Sequence, residues 1–303
     1  MTFFLAREAM WPNLGAPREN RARSAAMTQN AVLLEDRGVV RVSGEEAASF
    51  LQGVLTNDVE RLGAHEARYA ALLTPQGKIL FDFLVVRLPA DSGAAFALDC
   101  AASQAADLAK RLSFYKLRAK VAISDESADH CVLAYWGSEP ENAPGGVVYA
   151  DPRSAELGHR EILPRAKAVA IGEAHLSDYD ALRISLGVPR GGVDFVYGDA
   201  FPHEANMDLL HGVDFEKGCY VGQEVVSRMK HRGGARKRIV RVRLDGAAPP
   251  PGTPVMDGEL PVGTLGFSAR ANALAMLRLD RVEEARAAGR ELNAGGVRVQ
   301  AEG

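Results

Sequence analysis

The end of the chain is marked by a strict alternation. From Ile239, the apolar Val240, Val242 and Leu244 interleave with Arg241 and Arg243, the period-two pattern of a strand with one face buried. A turn at Pro249 to Pro254 and apolar runs at Val262 to Phe267, Ala273 to Leu279 and Val297 to Gln300 extend it, which predicts a small antiparallel β-barrel over residues 238–303. Ahead of this, helix and strand patterns mix. Ala31 to Val42 reads as a hairpin of two short strands around Glu35-Asp36-Arg37-Gly38. Ser43 to Glu46 has capping-box spacing, and Ala47, Phe50, Leu51, Val54 and Leu55 follow at helical intervals, predicting a helix that ends near Thr56-Asn57-Asp58. Tyr69 to Leu73 and Lys78 to Arg87 flank Thr74-Pro75-Gln76-Gly77, a second hairpin. Further strands are expected at Ala94 to Cys100, Cys131 to Tyr135, Val147 to Ala150 and Glu161 to Leu163. Helices are expected over Ala101 to Tyr115 and around Tyr179 to Leu186, with Gly137 to Gly146 as a loop.

The predicted fold class is therefore α+β: a body of mixed sheets and helices over residues 29–237, followed by the barrel. At 303 residues and 47% apolar composition, the chain is long enough for two or three small cores. The formal charge of -3 argues against coating nucleic acid through overall charge. No apolar run reaches the ~18 residues a membrane span needs. Cys100, Cys131 and Cys219 are odd in number and widely spaced, so neither a disulfide framework nor a Cys-x-x-Cys metal knuckle is indicated. A reducing compartment follows, bacterial cytoplasm or, in a eukaryote, the mitochondrial matrix. Residues 1–28 make a poor secretory signal or transit peptide; initiation at Met27 is the simpler reading, with this stretch a weakly anchored tail.

Lys217-Gly218-Cys219-Tyr220-Val221-Gly222-Gln223-Glu224, continuing to Arg228, places a cation, a thiol, a phenol, an amide and a carboxylate around two glycines. Such a mixture is foreign to a core strand or a solvent-facing helix. Gln223 to Lys230 reads as a short helix, so Cys219 stands just ahead of a helix N-terminus and two residues from Lys217, both of which attract a thiolate. It is the candidate reactive residue. The plainer alternative makes Cys219 a small buried apolar residue and Glu224 and Arg228 a surface i,i+4 ion pair.

This run resembles the signature of the YgfZ-type folate-binding proteins, relatives of the aminomethyltransferase (T-protein) of glycine cleavage. Leu51-Gln52-Gly53, Thr56-Asn57-Asp58 and the segment Ser113 to Val121 resemble the same family. The resemblance implies a protein that binds tetrahydrofolate and supports the assembly or repair of iron-sulfur enzymes. Glu204, within Phe201-Pro202-His203-Glu204-Ala205-Asn206, matches the segment whose glutamate contacts the pterin. A carboxylate suits that contact because it accepts two parallel N–H bonds. Asn206 is expected beside it, and Asp82, Lys217, Tyr220, Gln223 and Arg228 complete the expected ligand-binding set. His203, His211 and His231 read as incidental.

Asp82 is the lone acid in the apolar run Ile79 to Val86, so it faces either solvent at a strand end or a ligand cavity. The T-protein has two adjacent aspartates here where this chain has Phe81-Asp82, which argues against its transfer reaction. Two other functions follow from the same residues: a folate-dependent aminomethyl or methyl transferase with Asp82 as its base, and an RNA-modification accessory protein binding RNA through the basic run Lys230 to Arg238, which lacks interleaved aromatics for stacking. No metal ligands are indicated, and the expected partners are reduced folate and iron-sulfur client enzymes or assembly factors.

Overall fold

A computed structural model describes residues 30–89, 94–140, 146–168, 174–231 and 235–302. The expectation for residues 1–28 lies outside the described residues. Fifteen strands form among those described: β1 Asn30–Leu33, β2 Arg37–Gly44, β3 Ala67–Leu73, β4 Ile79–Leu88, β5 Ala94–Ala101, β6 Ala122–Asp125, β7 His130–Trp136, β8 Val147–Ala150, β9 His159–Pro164, β10 Lys237–Leu244, β11 Pro254–Asp257, β12 Leu260–Ala269, β13 Asn272–Arg278, β14 Leu292–Ala294 and β15 Val297–Ala301. The helices are α1 Ala47–Val54, α2 Ala105–Tyr115, α3 Leu176–Ser185, α4 Gln223–His231 and α5 Leu279–Ala287.

Three sheets result. A five-stranded sheet has the order β3-β4-β5-β2-β6, a four-stranded sheet the order β1-β7-β9-β8, and β10-β13-β12-β11-β14-β15 close into the expected barrel. The hairpin around Thr74 to Gly77 forms as β3 and β4. The one expected over Ala31 to Val42 does not. Both of its strands exist, but β1 pairs with β7 in one sheet while β2 pairs with β5 and β6 in the other. The reason is in the connector: Leu34 donates to the Val132 carbonyl, which holds β1 on β7, and Arg37 then carries the chain into the second sheet. The capping box is also absent. Glu46 is the N-cap of α1 without a side-chain cap bond, and its carboxylate instead accepts from the Lys120 N–H at 2.6 Å.

Strand alternation sorts the five-stranded sheet into two faces. Phe81, Phe83 and Val85 of β4 and Phe96, Leu98 and Cys100 of β5 turn toward α1 and α2 and form one core. Leu84, Val86 and Ala97 turn the other way, into a second core shared with Tyr149 and Ile162 of the four-stranded sheet, Tyr179 and Ile184 of α3, and Ile239 and Met276 of the barrel. The barrel interior is a third core. Asp82 and Asp99 have the parity of the second face, so the strand pattern delivers two carboxylates to the place where the sheets meet.

Candidate functional site

Two polar assemblies stand out, one buried between the sheets and one on the surface at the Lys217 to Arg228 segment. The buried one centres on Asp99, which is fully buried; its Oδ1 pairs with Arg37 of β2 at 2.5 Å and its Oδ2 with Arg160 of β9 at 2.5 Å, and the Tyr149 hydroxyl donates to Oδ2 at 3.0 Å. Arg160 also lies 3.1 Å from Asp151, whose carboxylate takes two bonds from Arg153. Burial alone would raise the Asp99 and Asp151 pKa values. The adjacent guanidinium groups overcome it, lowering Asp99 and bringing Asp151 to about 2.

Asp82 joins the edge of this network. It is buried, and its two oxygens accept from the Tyr69 hydroxyl at 2.9 Å and the Tyr197 hydroxyl at 2.5 Å. Burial and the neighbouring carboxylate push both phenols up, so they stay protonated donors. Of the two placements the sequence allowed for Asp82, the inward one is observed, but the space it faces is small. The recess it shares with five arginines, Arg37, Arg153, Arg160, Arg183 and Arg190, has a volume of about 40 Å³. A methyl group added at Gly191, on its wall, would lie 2.2 Å from the Tyr197 hydroxyl and 2.7 Å from Asp82 Oδ1. Small-molecule sites typically hold roughly 300–1,000 Å³, and a pterin does not fit this recess as its side chains stand.

The remaining residues expected at a folate do not meet Asp82. Glu204 turns its carboxylate back onto the Phe201 N–H at 2.9 Å, capping its own turn. Asn206, at φ 59°, donates to the Ile239 carbonyl at 2.9 Å and accepts from Arg238, fastening the body to the barrel. An open groove of about 760 Å³ lies between His65, Arg68, His211, Phe215 and Lys230, but none of the residues expected to contact folate lines it. The basic run is partly engaged already: Lys230 lies 3.8 Å over the Phe215 ring, and Arg238 forms a two-bond pair with Asp208.

The surface assembly is built around Cys219, which is exposed, whereas Cys100 and Cys131 are buried. Burial pushes the Cys100 thiol up to about 12 and also raises that of Cys131. Lys217 is not the cationic neighbour that its position two residues earlier suggests. It is buried, and its ammonium donates to the carbonyls of Gln52, Leu55 and Asn57 at 2.8, 2.6 and 2.9 Å. Burial lowers its pKa to about 8. Tyr220 is buried with its ring 5.2 Å from that ammonium. Gly222 has φ 82° and packs on the turn of the β3–β4 hairpin, where a Cβ would lie 2.5 Å from the Thr74 carbonyl oxygen. Gln223 opens α4, and Glu224 and Arg228 form an exposed ion pair at 2.6 Å, as the plainer reading of that pair has it. The plainer reading of Cys219 as a buried residue is not what the structure shows.

Sequence reasoning did not foresee that the two stretches resembling one family touch each other. Thr56 donates to the Gly212 carbonyl at 2.7 Å, and Asn57 donates to the carbonyls of Tyr69 and His211 at 2.8 and 2.6 Å. With the Lys217 ammonium on the Gln52 and Asn57 carbonyls as well, the end of α1 and the residues just after it form the floor under the Lys217 end of the Cys219 loop. The available signal was the position of Thr56-Asn57-Asp58 directly after an amphipathic helix, where unpaired carbonyls await donors.

Two family models match separate stretches of the chain. Residues 18–162 match the GCVT N-terminal domain, and residues 236–303 match the CAF17 C-terminal beta-barrel domain. The chain is 35% identical over 246 residues to the iron-sulfur cluster assembly factor IBA57, mitochondrial, of Mus musculus, covering 72% of this chain and 67% of that protein. The homologue from Chaetomium globosum is 32% identical over 300 residues, covering 84% and 69%. The chain belongs to the IBA57 family. A further IBA57 homologue, from Mycosarcoma maydis, is 36% identical over 251 residues, and the match spans 78% of this chain but 62% of that protein's length. The fold is that of the glycine cleavage aminomethyltransferase T of Bartonella henselae, with a TM-score of 0.68 over 90% of this chain and 84% of that one, at 17% identity. The comparisons support the GcvT-type fold and a family whose members are described as iron-sulfur cluster assembly factors, and they do not single out the YgfZ-type proteins of the resemblance.

Proposed function

We propose that this protein takes part in iron-sulfur cluster assembly by offering Cys219 as one ligand to a cluster that a partner protein also holds. The observation that carries this is the exposure of Cys219 on a braced loop, with the other two cysteines buried. Iron-sulfur clusters are generally held by four protein ligands, mostly cysteine thiolates. Among the described residues no group of three His, Cys, Asp or Glu side chains is placed to hold a metal. One thiolate alone cannot retain a cluster, so the remaining ligands come from the partner and the cluster is cargo at an interface. An exposed free thiol also suits a reducing compartment, and the mitochondrial relatives support the organelle matrix if the host is eukaryotic.

Tetrahydrofolate and aminomethyl transfer stay outside this reading. The recess at Asp82 does not fit a pterin, and no step is derived through one.

Cys219→Ser tests the proposal. The exposed substitution leaves the fold intact, and cells relying on this variant are expected to lose activity of their iron-sulfur enzymes while the protein remains at normal abundance. Full enzyme activity with Cys219→Ser would remove the thiol from the function.

A further inference from the structure

Cys219 occupies a very short free span. On one side of it, Lys217 is buried and its three ammonium protons find three acceptors, the carbonyls of Gln52, Leu55 and Asn57, which saturates the donor capacity of a lysine. On the other side Tyr220 is buried. Between them, Gly218 has open space around it and Cys219 is exposed. The thiol therefore stands on two residues strung between two buried anchors.

The Lys217 anchor is tied to a helix end rather than to another part of the loop. The carbonyls of Gln52 and Leu55 belong to the last turn and C-cap of α1, where backbone acceptors lack helical partners and the helix dipole is negative. The ammonium satisfies these two acceptors and the Asn57 carbonyl from one side chain, and an apolar residue of similar length satisfies none. Asp214 adds a second fastening, accepting from the N–H groups of Glu216 and Lys217 at 2.8 and 3.1 Å.

We propose that Lys217 is the positioning residue for Cys219, fixing the thiol in the orientation a docked cluster requires by clamping its loop to the C-terminal end of α1. The proposal rests on Cys219 being a cluster ligand, and it gives Lys217 a task other than contact with folate. A lysine that only capped α1 would affect stability and leave the loop and its thiol unchanged.

The test uses the full chain with Lys217→Met, which keeps the length of the stem and removes the donors, beside Cys219→Ser. Circular dichroism and thermal melting monitor the fold. Amide hydrogen exchange over residues 214–222 reads the loop, and the activity of iron-sulfur enzymes in cells relying on each variant reads delivery of the cluster. In folded Lys217→Met, exchange across the loop is expected to accelerate about tenfold or more, with the strands of the barrel unchanged. Iron-sulfur enzyme activity in cells relying on Lys217→Met is expected to fall toward the level of Cys219→Ser at normal protein abundance. Wild-type protection of the loop in Lys217→Met overturns the positioning role and leaves the proposed function of Cys219 standing. Full iron-sulfur enzyme activity in cells relying on Cys219→Ser, with the loop loosened in Lys217→Met, instead overturns the function while the clamp remains. If Lys217→Met does not fold, Lys217→Arg is read in its place: its larger head keeps the charge but cannot fill the same three-carbonyl site, so the same loop loosening is expected, and unchanged protection overturns the inference.

Discussion

Arg160 of β9 and Asp99 of β5 come from different sheets and meet at 2.5 Å in the interior, both almost wholly excluded from solvent. Asp99 holds Arg37 as well, and Arg160 reaches Asp151, so the body is joined at its centre by alternating charges. Removing one member of such a pair strands the others without water. Arg160→Met is expected to cost about 3–5 kcal/mol of stability, read as a lower urea midpoint, while an exposed pair such as Glu224 and Arg228 is expected to cost about 0.5 kcal/mol or less when broken.

The same network sets the acid limit. Asp151 is held at about 2 by Arg153 and Arg160, below its ordinary value of 3.8. A carboxylate with a depressed folded pKa contributes its full stabilisation above the unfolded value and loses it as pH falls through the folded one. Asp151 therefore contributes about 2 kcal/mol above pH ~4, lost between pH ~4 and ~2. Asp99, shifted in the same direction, adds to this loss. Urea unfolding at a series of pH values is expected to show a steep fall in that window, and Asp151→Asn is expected to be less stable at neutral pH and to fall less steeply.

Gly222 gives the third prediction. Its φ of 82° disfavours any side chain, and a Cβ there would press on the Thr74 carbonyl at 2.5 Å and on Gly77 Cα at 3.0 Å. Because both contacts are backbone, no side chain can swing aside. Gly222→Ala is expected to destabilise by about 1–3 kcal/mol and to speed alkylation of Cys219 by iodoacetamide, as the loop lifts from the hairpin.

Local rules found the elements whose partners lie nearby in the chain. The β3–β4 hairpin was legible because Pro75 and Gly77 fix its turn, and the barrel because Val240, Val242 and Leu244 alternate with arginines. The error at β1 and β2 came from the same rule, since a turn between two apolar runs predicts pairing but cannot tell whether a more distant strand such as β7 competes. In the site, the exposed thiol was legible as a misplaced residue type. The destination of Lys217 was not, because its acceptors lie 160 to 165 residues away and are backbone carbonyls, which leave no mark on the sequence. Asp99 carried the same signal as Asp82, an acid within an apolar strand, and it proved the more deeply engaged of the two.

Asp82 decides the last prediction. Its oxygens are both occupied by phenols, at 2.9 and 2.5 Å, and the recess it faces holds about 40 Å³. A pterin ring needs a flat cavity several times larger. Calorimetric titration of the anaerobic protein with tetrahydrofolate is therefore expected to give the same isotherm for the wild type and Asp82→Asn up to about 1 mM, so that no binding stronger than about -4 kcal/mol depends on Asp82. Tyr197→Ala releases Asp82 Oδ1 and clears the space beside Gly191, so measurable affinity is expected to emerge there if size and the phenol are what exclude the ligand. A micromolar isotherm with the unmodified protein that Asp82→Asn abolishes would mean that Tyr69, Tyr197 and the guanidinium groups yield to the ligand, and would return Asp82 to a folate site.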